Sequence, residues 1–163
     1  MLPQAQNVVR TPGFMGQAVE WSMFEPGVVA VAASQHFGIV GNGRLFILRY
    51  SPSGTRIERH FDTNNACFDV AWNEQRRTQL VAACGDGSLR LFDTKSQETR
   101  PLVAYSEHAA EVTSVAWNTR RQERFASASW DTTVKLWTTG RPHSFQTLVG
   151  HDDCIHEVAW LTA

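Results

Sequence analysis

Short runs of apolar residues, separated by tight polar turns, recur along most of this chain. In the clearest example residues 80–84 and 89–92 flank the turn 85–88, and the same arrangement returns at residues 125–129 and 134–137. Runs of this length, rich in β-branched and aromatic residues and bounded by Gly, Asp and Ser, are typical of antiparallel strands. The pattern therefore predicts an all-β chain.

These runs belong to a longer repeat. Asp86 and Asp131 are 45 residues apart, and so are Phe92 and Trp137, so the register holds across whole units. Each unit opens with a strand that ends in tryptophan, at Trp21 (weakly), Trp72, Trp117 and Trp160. A repeat of this length marks one supersecondary unit that buries its apolar faces only against its neighbours. We expect these tryptophans, together with Trp137, to lie mostly in the core.

The third unit carries four side chains that can form one hydrogen-bonded group, His108, Ser127, Asp131 and Trp137. A buried histidine must satisfy both ring nitrogens, and a carboxylate, a hydroxyl and an indole N–H complete such a set. On these residues the unit resembles a WD-repeat blade, with its structural tetrad. The resemblance implies four-stranded blades arranged as a β-propeller, with no metal and no cofactor.

The other units depart from this pattern. The second unit has Ala82 and Phe92 where the third has Ser and Trp, and no His stands nine residues before Trp72. We expect packing alone to hold that blade. In the fourth unit His151 does stand nine residues before Trp160, but no later partners follow it in this sequence.

The expected domain is a partial propeller over residues 1–163. Its blades are expected at about 14–50, 62–94 and 108–139, with the start of a fourth, its first strand, at about 150–163. Propellers of this type close with about seven blades. About three blades cannot close a ring, so the sequence is expected to be part of a longer ring.

Two motifs have an enzymatic alternative. His108, Ser127 and Asp131 are the residue types of a hydrolase triad, but this serine falls within an alternating strand and recurs at tetrad offsets, so we expect a structural role. The glycines of residues 38–43 superficially resemble a phosphate-binding loop. No helix follows them, and Asn42-Gly43 before an apolar strand favours a hairpin turn instead. We therefore expect no enzyme activity.

Composition restricts the class further. The formal net charge is -1, which gives no indication of a nucleic-acid or anionic-membrane surface. The cysteines, Cys67, Cys84 and Cys154, are odd in number and far apart in sequence, so we interpret them as reduced thiols of a cytosolic protein.

Six segments, some irregular and some within the blades, are together more distinctive than the general blade pattern. They are residues 10–13, 35–45, 61–65, 68–72, 107–112 and 129–137. Taken in order, they closely resemble the N-terminal half of the receptors for the type-2 peroxisomal targeting signal, the peroxin-7 family of WD-repeat proteins. The resemblance implies a cytoplasmic import receptor that shuttles to the peroxisomal matrix. It binds the amphipathic N-terminal nonapeptide of cargo proteins, then joins a co-receptor and the docking complex at the membrane.

The family binds its peptide on the propeller face that carries the blade-to-blade turns. On this chain that implies Glu111 as an acceptor for the cargo's Arg or Lys, and Trp130 as an apolar contact. Asp62, Asn65 and Asp152 are further candidates, although many relatives have an acid where this chain has Asn65. The alternative is a different WD-repeat scaffold, such as a ubiquitin-ligase adaptor, that binds another peptide motif on the same face.

Overall fold

The computed structural model describes residues 8–121 and 123–161, and its strands form three antiparallel sheets of four strands each. The remaining residues of the expected domain, 1–7, 122 and 162–163, lie outside the described part. The strands of the first sheet follow one another in space as in sequence, and they are β1 (Met15–Trp21), β2 (Val28–Ser34), β3 (Gly43–Ser51) and β4 (Gly54–Thr63). One turn of 3-10 helix, His36–Gly38, lies between β2 and β3.

The second and third sheets repeat this order. The second sheet contains β5 (Cys67–Trp72), β6 (Gln79–Cys84), β7 (Ser88–Asp93) and β8 (Val103–Ser106). The third sheet contains β9 (Val112–Trp117), β10 (Arg124–Ser129), β11 (Val134–Thr138) and β12 (Gln146–Leu148). No helix in the described part of the chain has the length and apolar character that a membrane crossing would require.

The prediction of an all-β chain built from four-stranded antiparallel sheets is confirmed. Each sheet extends beyond the residue range expected for its blade, because an outermost strand (β4, β8 or β12) follows the last strand that the repeat pattern marks. Residues 149–161, at the start of the fourth unit, form no strand. They are instead held against β9, where Thr113 Oγ1 donates to Ile155 O (2.7 Å) and Trp160 Nε1 donates to Ala116 O (3.0 Å).

The core lies between the sheets rather than within any one of them. Strand β6 is buried along its whole length, and its side chains alternate between the two faces of the second sheet. Leu80, Ala82 and Cys84 pack towards the first sheet, whereas Val81 and Ala83 pack towards the third. Burial on both faces explains why β6 is a continuous apolar run in the sequence.

The innermost strands of neighbouring sheets are joined by carboxylates and by the repeated tryptophans. Glu20 Oε2 on β1 accepts a hydrogen bond from Trp72 N (2.7 Å), and Trp72 Nε1 donates to Glu20 O (3.1 Å). Asp69 Oδ2 on β5 accepts one from Val115 N on β9 (2.9 Å). Each such bond satisfies a backbone group that no strand partner would reach.

One expectation about the tryptophans is wrong. Trp72, Trp117 and Trp137 are buried, but Trp21 is 59% exposed and packs edge-on against Tyr50. The reason is position, since among the described residues no inner strand of a preceding sheet lies beside β1.

Candidate peptide-binding face

One end of the three sheets, called here the upper face, collects the turns that the sequence singles out. Because the strands alternate in direction, alternate connections lie at the same end. These connections are residues 35–42, 64–66, 85–87, 107–111 and 130–133, followed by the segment 149–154. The turns 22–27, 73–78 and 94–102 lie at the opposite end, called here the lower end.

In the third sheet a chain of four side chains supports this face. Trp137 Nε1 donates to Ser127 Oγ (2.8 Å), Ser127 Oγ lies 2.7 Å from His108 Nε2, and His108 Nδ1 lies 2.8 Å from Asp131 Oδ2. Since the indole can only donate, the set is satisfied throughout when Ser127 donates to His108 and His108 donates to Asp131. The structure thus brings together the four residues of the expected tetrad.

The ionisation of this group agrees with that assignment. Burial lowers the pKa of His108 below its ordinary value, against the opposing effect of Asp131, so the ring is neutral near pH 7. Burial alone would raise the pKa of Asp131, but hydrogen bonds from Thr133, His108 and the Ala109 N–H outweigh it and lower the pKa to about 2. The carboxylate is therefore ionised and fully engaged.

The same geometry argues against nucleophilic catalysis at Ser127. Its side chain is fully buried, and its oxygen already accepts the Trp137 N–H. A catalytic serine needs exposure to substrate and an oxyanion hole beside it. The described residues also contain no group of three or more His, Cys, Asp or Glu side chains placed to hold a metal ion.

The tetrad helps to position the two loops that carry Trp130 and Glu111. Asp131 follows Trp130, and Ser129 Oγ both accepts from Asp131 N (3.0 Å) and donates to Ala110 O (3.2 Å). Trp130 N in turn donates to Glu111 O (3.0 Å). The structure therefore brings Trp130 and Glu111 side by side, on two different loops that are tied by backbone hydrogen bonds.

Trp130 belongs to a larger group of apolar side chains on the upper face. Its indole is 40% exposed and lies 6.5 Å, centroid to centroid, from the ring of Phe68. Phe68 supports the loop 35–42, since a Cβ added to Gly38 would lie 2.6 Å from its ring. That loop presents three exposed side chains, Phe37, Ile39 and Val40. We call these five side chains the apolar patch: Phe37, Ile39, Val40, Phe68 and Trp130.

Acidic side chains lie beside the patch. Glu111 is half-buried, and within the described part of the chain its carboxylate forms no hydrogen bond or ion pair. The segment 149–154 approaches from the other side, where Cys154 Sγ lies 3.7 Å from Trp130 O. Asp152 is exposed on that segment. An unpaired carboxylate next to exposed apolar side chains suits a cationic amphipathic peptide.

The other two expected site residues are differently placed. Asn65 borders the patch, because a Cβ on Gly85 would lie 2.8 Å from Asn65 Oδ1 and 3.2 Å from the Phe68 ring. Its side-chain oxygen accepts from Ala66 N (2.8 Å) and so shapes the turn. Asp62 is not brought to this group, since it lies on the outermost strand β4 and pairs with Arg44 at 2.5 Å.

Sequence reasoning missed most of the apolar patch. Phe37, Ile39, Val40 and Phe68 were not singled out as site residues, although apolar side chains in a glycine-rich turn were an available signal. Their arrangement depends on backbone that no propensity predicts, because His36 and Phe37 both have positive φ (43° and 60°).

Comparison with known proteins identifies the repeat. The family model described as "WD domain, G-beta repeat" matches residues 48–93 and 99–138, about half of the chain. The chain belongs to the WD-repeat family. A solved structure titled "Crystal Structure of Mitotic Checkpoint Complex" superposes with a TM-score of 0.76 at 19% identity, over 93% of this chain and 42% of that one, which supports the same fold.

Several curated relatives are more similar in sequence. The "Peroxisomal targeting signal 2 receptor" of Mus musculus is 45% identical over 157 residues, 96% of this chain and 49% of its own length. The protein of the same name from Schizosaccharomyces pombe is 41% identical over 140 residues (86% and 45%). "Peroxisome biogenesis protein 7" of Arabidopsis thaliana is 40% identical over 134 residues (80% and 42%).

These relatives confirm the resemblance to the type-2 receptor family. This WD-repeat chain spans about half the length of the curated relatives it matches.

Proposed function

We propose that this chain forms part of a receptor for the type-2 peroxisomal targeting signal, and that the signal peptide binds on the upper face. The names of the relatives support the receptor role. The observation that carries the proposal for the site is the unpaired Glu111 carboxylate beside Trp130, at the margin of the apolar patch.

The peptide is bound as an amphipathic helix. Its apolar side chains pack on Trp130 and Phe68, and an Arg or Lys near its start pairs with Glu111. A well-formed hydrogen bond to a charged partner contributes about 1.5–3 kcal/mol, or roughly 10- to 100-fold in affinity. Asp152 adds negative charge on the other side of Trp130, and Asn65 forms part of the floor. Asp62 is a more distant contributor, since Arg44 already neutralises it.

The wider role proposed for the chain is supported by its resemblance to the same family. Cargo proteins with this signal are bound in the cytoplasm and carried, with a co-receptor and a docking complex, towards the peroxisomal matrix. The reaction is binding, with no chemical step and no cofactor. A second candidate, a WD-repeat adaptor for another peptide motif, would use the same patch and differs in the peptide it selects.

The proposal can be tested by nuclear magnetic resonance on the chain labelled at its tryptophan indole nitrogens. The probe is a peptide that begins Arg-Leu, followed by five residues and His-Leu, and the comparison peptide has Glu in place of the Arg. We expect the first peptide to shift the Trp130 signal at high micromolar or higher concentration, because the full face draws on further blades. The buried Trp137 signal reports in the same spectrum that the chain is folded.

Glu111→Lys should abolish that shift, whereas Glu123→Lys, the same charge change in an exposed turn at the lower end, should leave it unchanged. A folded chain whose Trp130 signal ignores the peptide would refute the site. Equal response to the Arg and Glu peptides would favour the adaptor alternative.

A further inference from the structure

A cavity of about 460 Å³ opens at the lower end of the molecule, between the first and second sheets. It lies at the opposite end of the strands from the apolar patch, and none of the site residues discussed above lines it. Turns from both sheets form its mouth, and Val28, Ile47, Ile57 and Trp72 contribute its apolar wall. Cavities of this size are typical of sites that hold a small ligand or a few residues of a peptide.

The charges around this cavity do not cancel. Four cationic side chains line it, Arg56, Arg59, Arg77 and Lys95, against two acids, Glu25 and Glu58. Both acids are already paired with Arg49, which lies outside the lining, at 3.0 Å and 2.6 Å. Arg56 also pairs with Glu58 (3.2 Å). The cavity therefore keeps an excess of positive charge after its internal pairs are counted.

Two of the cations have no partner of their own. Within the described part of the chain, neither the Arg77 guanidinium nor the Lys95 ammonium forms a hydrogen bond or an ion pair. The turn that carries Lys95 is held in place by Arg59, whose guanidinium donates to the carbonyls of Thr94, Ser96 and Glu98. The unpaired Lys95 ammonium thus stands on a positioned turn, whereas Arg77 lies on the separate turn 73–78.

The rest of the lining indicates what kind of anion fits. Ile57 is 38% exposed and offers an apolar contact at the mouth. It belongs to β4, the outermost strand of its sheet, whose outer edge pairs with no described strand and so has free backbone groups. Among the described residues that line the cavity, Trp72 is the one aromatic residue, and it is buried with its indole N–H used by Glu20, so the lining itself offers no exposed ring on which a nucleotide base could stack. These features favour a peptide over a nucleic acid.

We propose that this cavity binds a short acidic segment of a partner protein. Carboxylates of the segment pair with Arg77 and Lys95, and an apolar side chain between them packs on Ile57. The interaction is separate from signal recognition, because the cavity and the upper face lie at opposite ends of the same sheets. A partner bound here leaves the upper face free.

Fluorescence anisotropy tests this on the whole chain, with the labelled peptide Asp-Glu-Leu-Glu-Asp as the probe at low salt. We expect Arg77→Glu combined with Lys95→Glu to weaken binding about tenfold or more, because both charge partners are replaced by like charges. The matched control is Arg120→Glu with Arg121→Glu, an exposed pair in the lower turn of the third sheet, and it should change affinity less than about twofold.

One further variant and several altered probes separate the apolar contribution to binding from the contribution of charge. Ile57→Ser should weaken the Leu-containing probe about threefold or more and leave an Ala-containing probe unaffected. The probe with Asn and Gln in place of its acids should not bind, and inorganic phosphate at equal charge should not displace the acidic probe. The proposal is overturned if the acidic probe does not bind, if both double variants behave alike, or if a short oligothymidylate binds more tightly than the peptide.

Discussion

The second and third sheets have the same backbone plan but different chemistry at three equivalent core positions. In the third sheet Ser127, His108 and Trp137 form a polar chain inside the core. The residues 45 positions earlier are Ala82, Thr63 and Phe92, all buried. Phe92 there packs on Phe61, with ring centroids 4.7 Å apart. A polar network across the core and a mainly apolar core, in which the one hydroxyl, that of Thr63, is satisfied locally by Asn65 O, are thus two solutions for one fold.

The second and third sheets also share a feature, an aspartate that closes an equivalent turn. Asp86 and Asp131 occupy equivalent turns, and each caps its turn through a backbone N–H and a hydroxyl two residues on. The aspartate is kept in the second sheet although its histidine is absent. Its first role is therefore local, in closing the turn, and the tetrad adds a tie between that turn and the core.

The largest effect should come from the apolar core of the second sheet. Phe92→Ala removes a fully buried ring and leaves a cavity beside Phe61, so we expect a loss of about 3–5 kcal/mol in the free energy of unfolding. Urea titration followed by tryptophan fluorescence measures it. Phe37→Ala, at an exposed position, should cost less than about 0.5 kcal/mol. Equal losses for the two variants would contradict the assignment of Phe92 to the core.

The register of the repeat explains how much of the fold could be predicted from the sequence. Strands β5–β7, β9 and β10 are largely buried and β11 is partly buried, and all six are short and separated by diagnostic turns, so their spacing marks them directly in the sequence. The outermost strands lack that signal, since all three residues of β12 are exposed and β4 carries four charged residues. Their place is determined by pairing with β11 and β3, which sequence pattern alone does not report.

The candidate site was accessible from sequence only in part. Trp130 could be singled out because the repeat places it before a turn on one face, and Glu111 because the resemblance to the receptor family implies an acceptor there. The contribution of Phe68 depends on a bulge in β5, where the register shifts between Cys67 and Asp69. Such a bulge turns a side chain towards the upper face without any distinctive residue to announce it.

A smaller loss in the free energy of unfolding should distinguish the polar core of the third sheet from the mainly apolar core of the second. His108→Ala leaves the Ser127 hydroxyl and one Asp131 oxygen without the histidine inside the third sheet, and we expect it to cost about 2–3 kcal/mol. The triple variant His108→Thr, Ser127→Ala, Trp137→Phe copies the second sheet. It removes the imidazole, the serine hydroxyl and the indole N–H together and leaves one threonine hydroxyl near the backbone, so we expect a loss of only about 1 kcal/mol, from incomplete packing.

The same urea titration compares the two variants, and Asp131 stays capped by Thr133 in both. A triple variant less stable than His108→Ala alone would show that the polar chain contributes more than the satisfaction of its own groups.

The smallest expected change in stability concerns the two hydrogen-bonded contacts, called here joints, that a carboxylate makes between the second sheet and each of its neighbours. At the joint with the third sheet, Asp69 is buried, which raises its pKa, but hydrogen bonds from Val115, Val70 and Ser114 oppose the rise. At the joint with the first sheet, burial, with smaller contributions from the nearby Asp69 and Glu74 charges, raises the pKa of Glu20 to about 7, and only the Trp72 N–H opposes it. The carboxylate with fewer donors and two acids nearby therefore has the larger shift.

This shift predicts a pH dependence with a definite sign. Unfolded Glu20 loses its proton near its ordinary pKa of 4.5, whereas folded Glu20 keeps it until about pH 7. Between these values the folded state binds more protons, so stability falls as pH rises, by about 1–2 kcal/mol once partial hydration is allowed for. Glu20→Gln keeps an oxygen that can accept from Trp72 N and cannot ionise. It should match the parent chain near pH 4.5 and exceed its stability above pH 7.

Urea titrations across that range test the sign, with the exposed Glu123→Gln as the control that should follow the parent chain. A Glu20→Gln variant that loses stability above pH 7 would mean that the carboxylate form stabilises the joint. The difference between the two joints would then lie in geometry rather than in the number of donors.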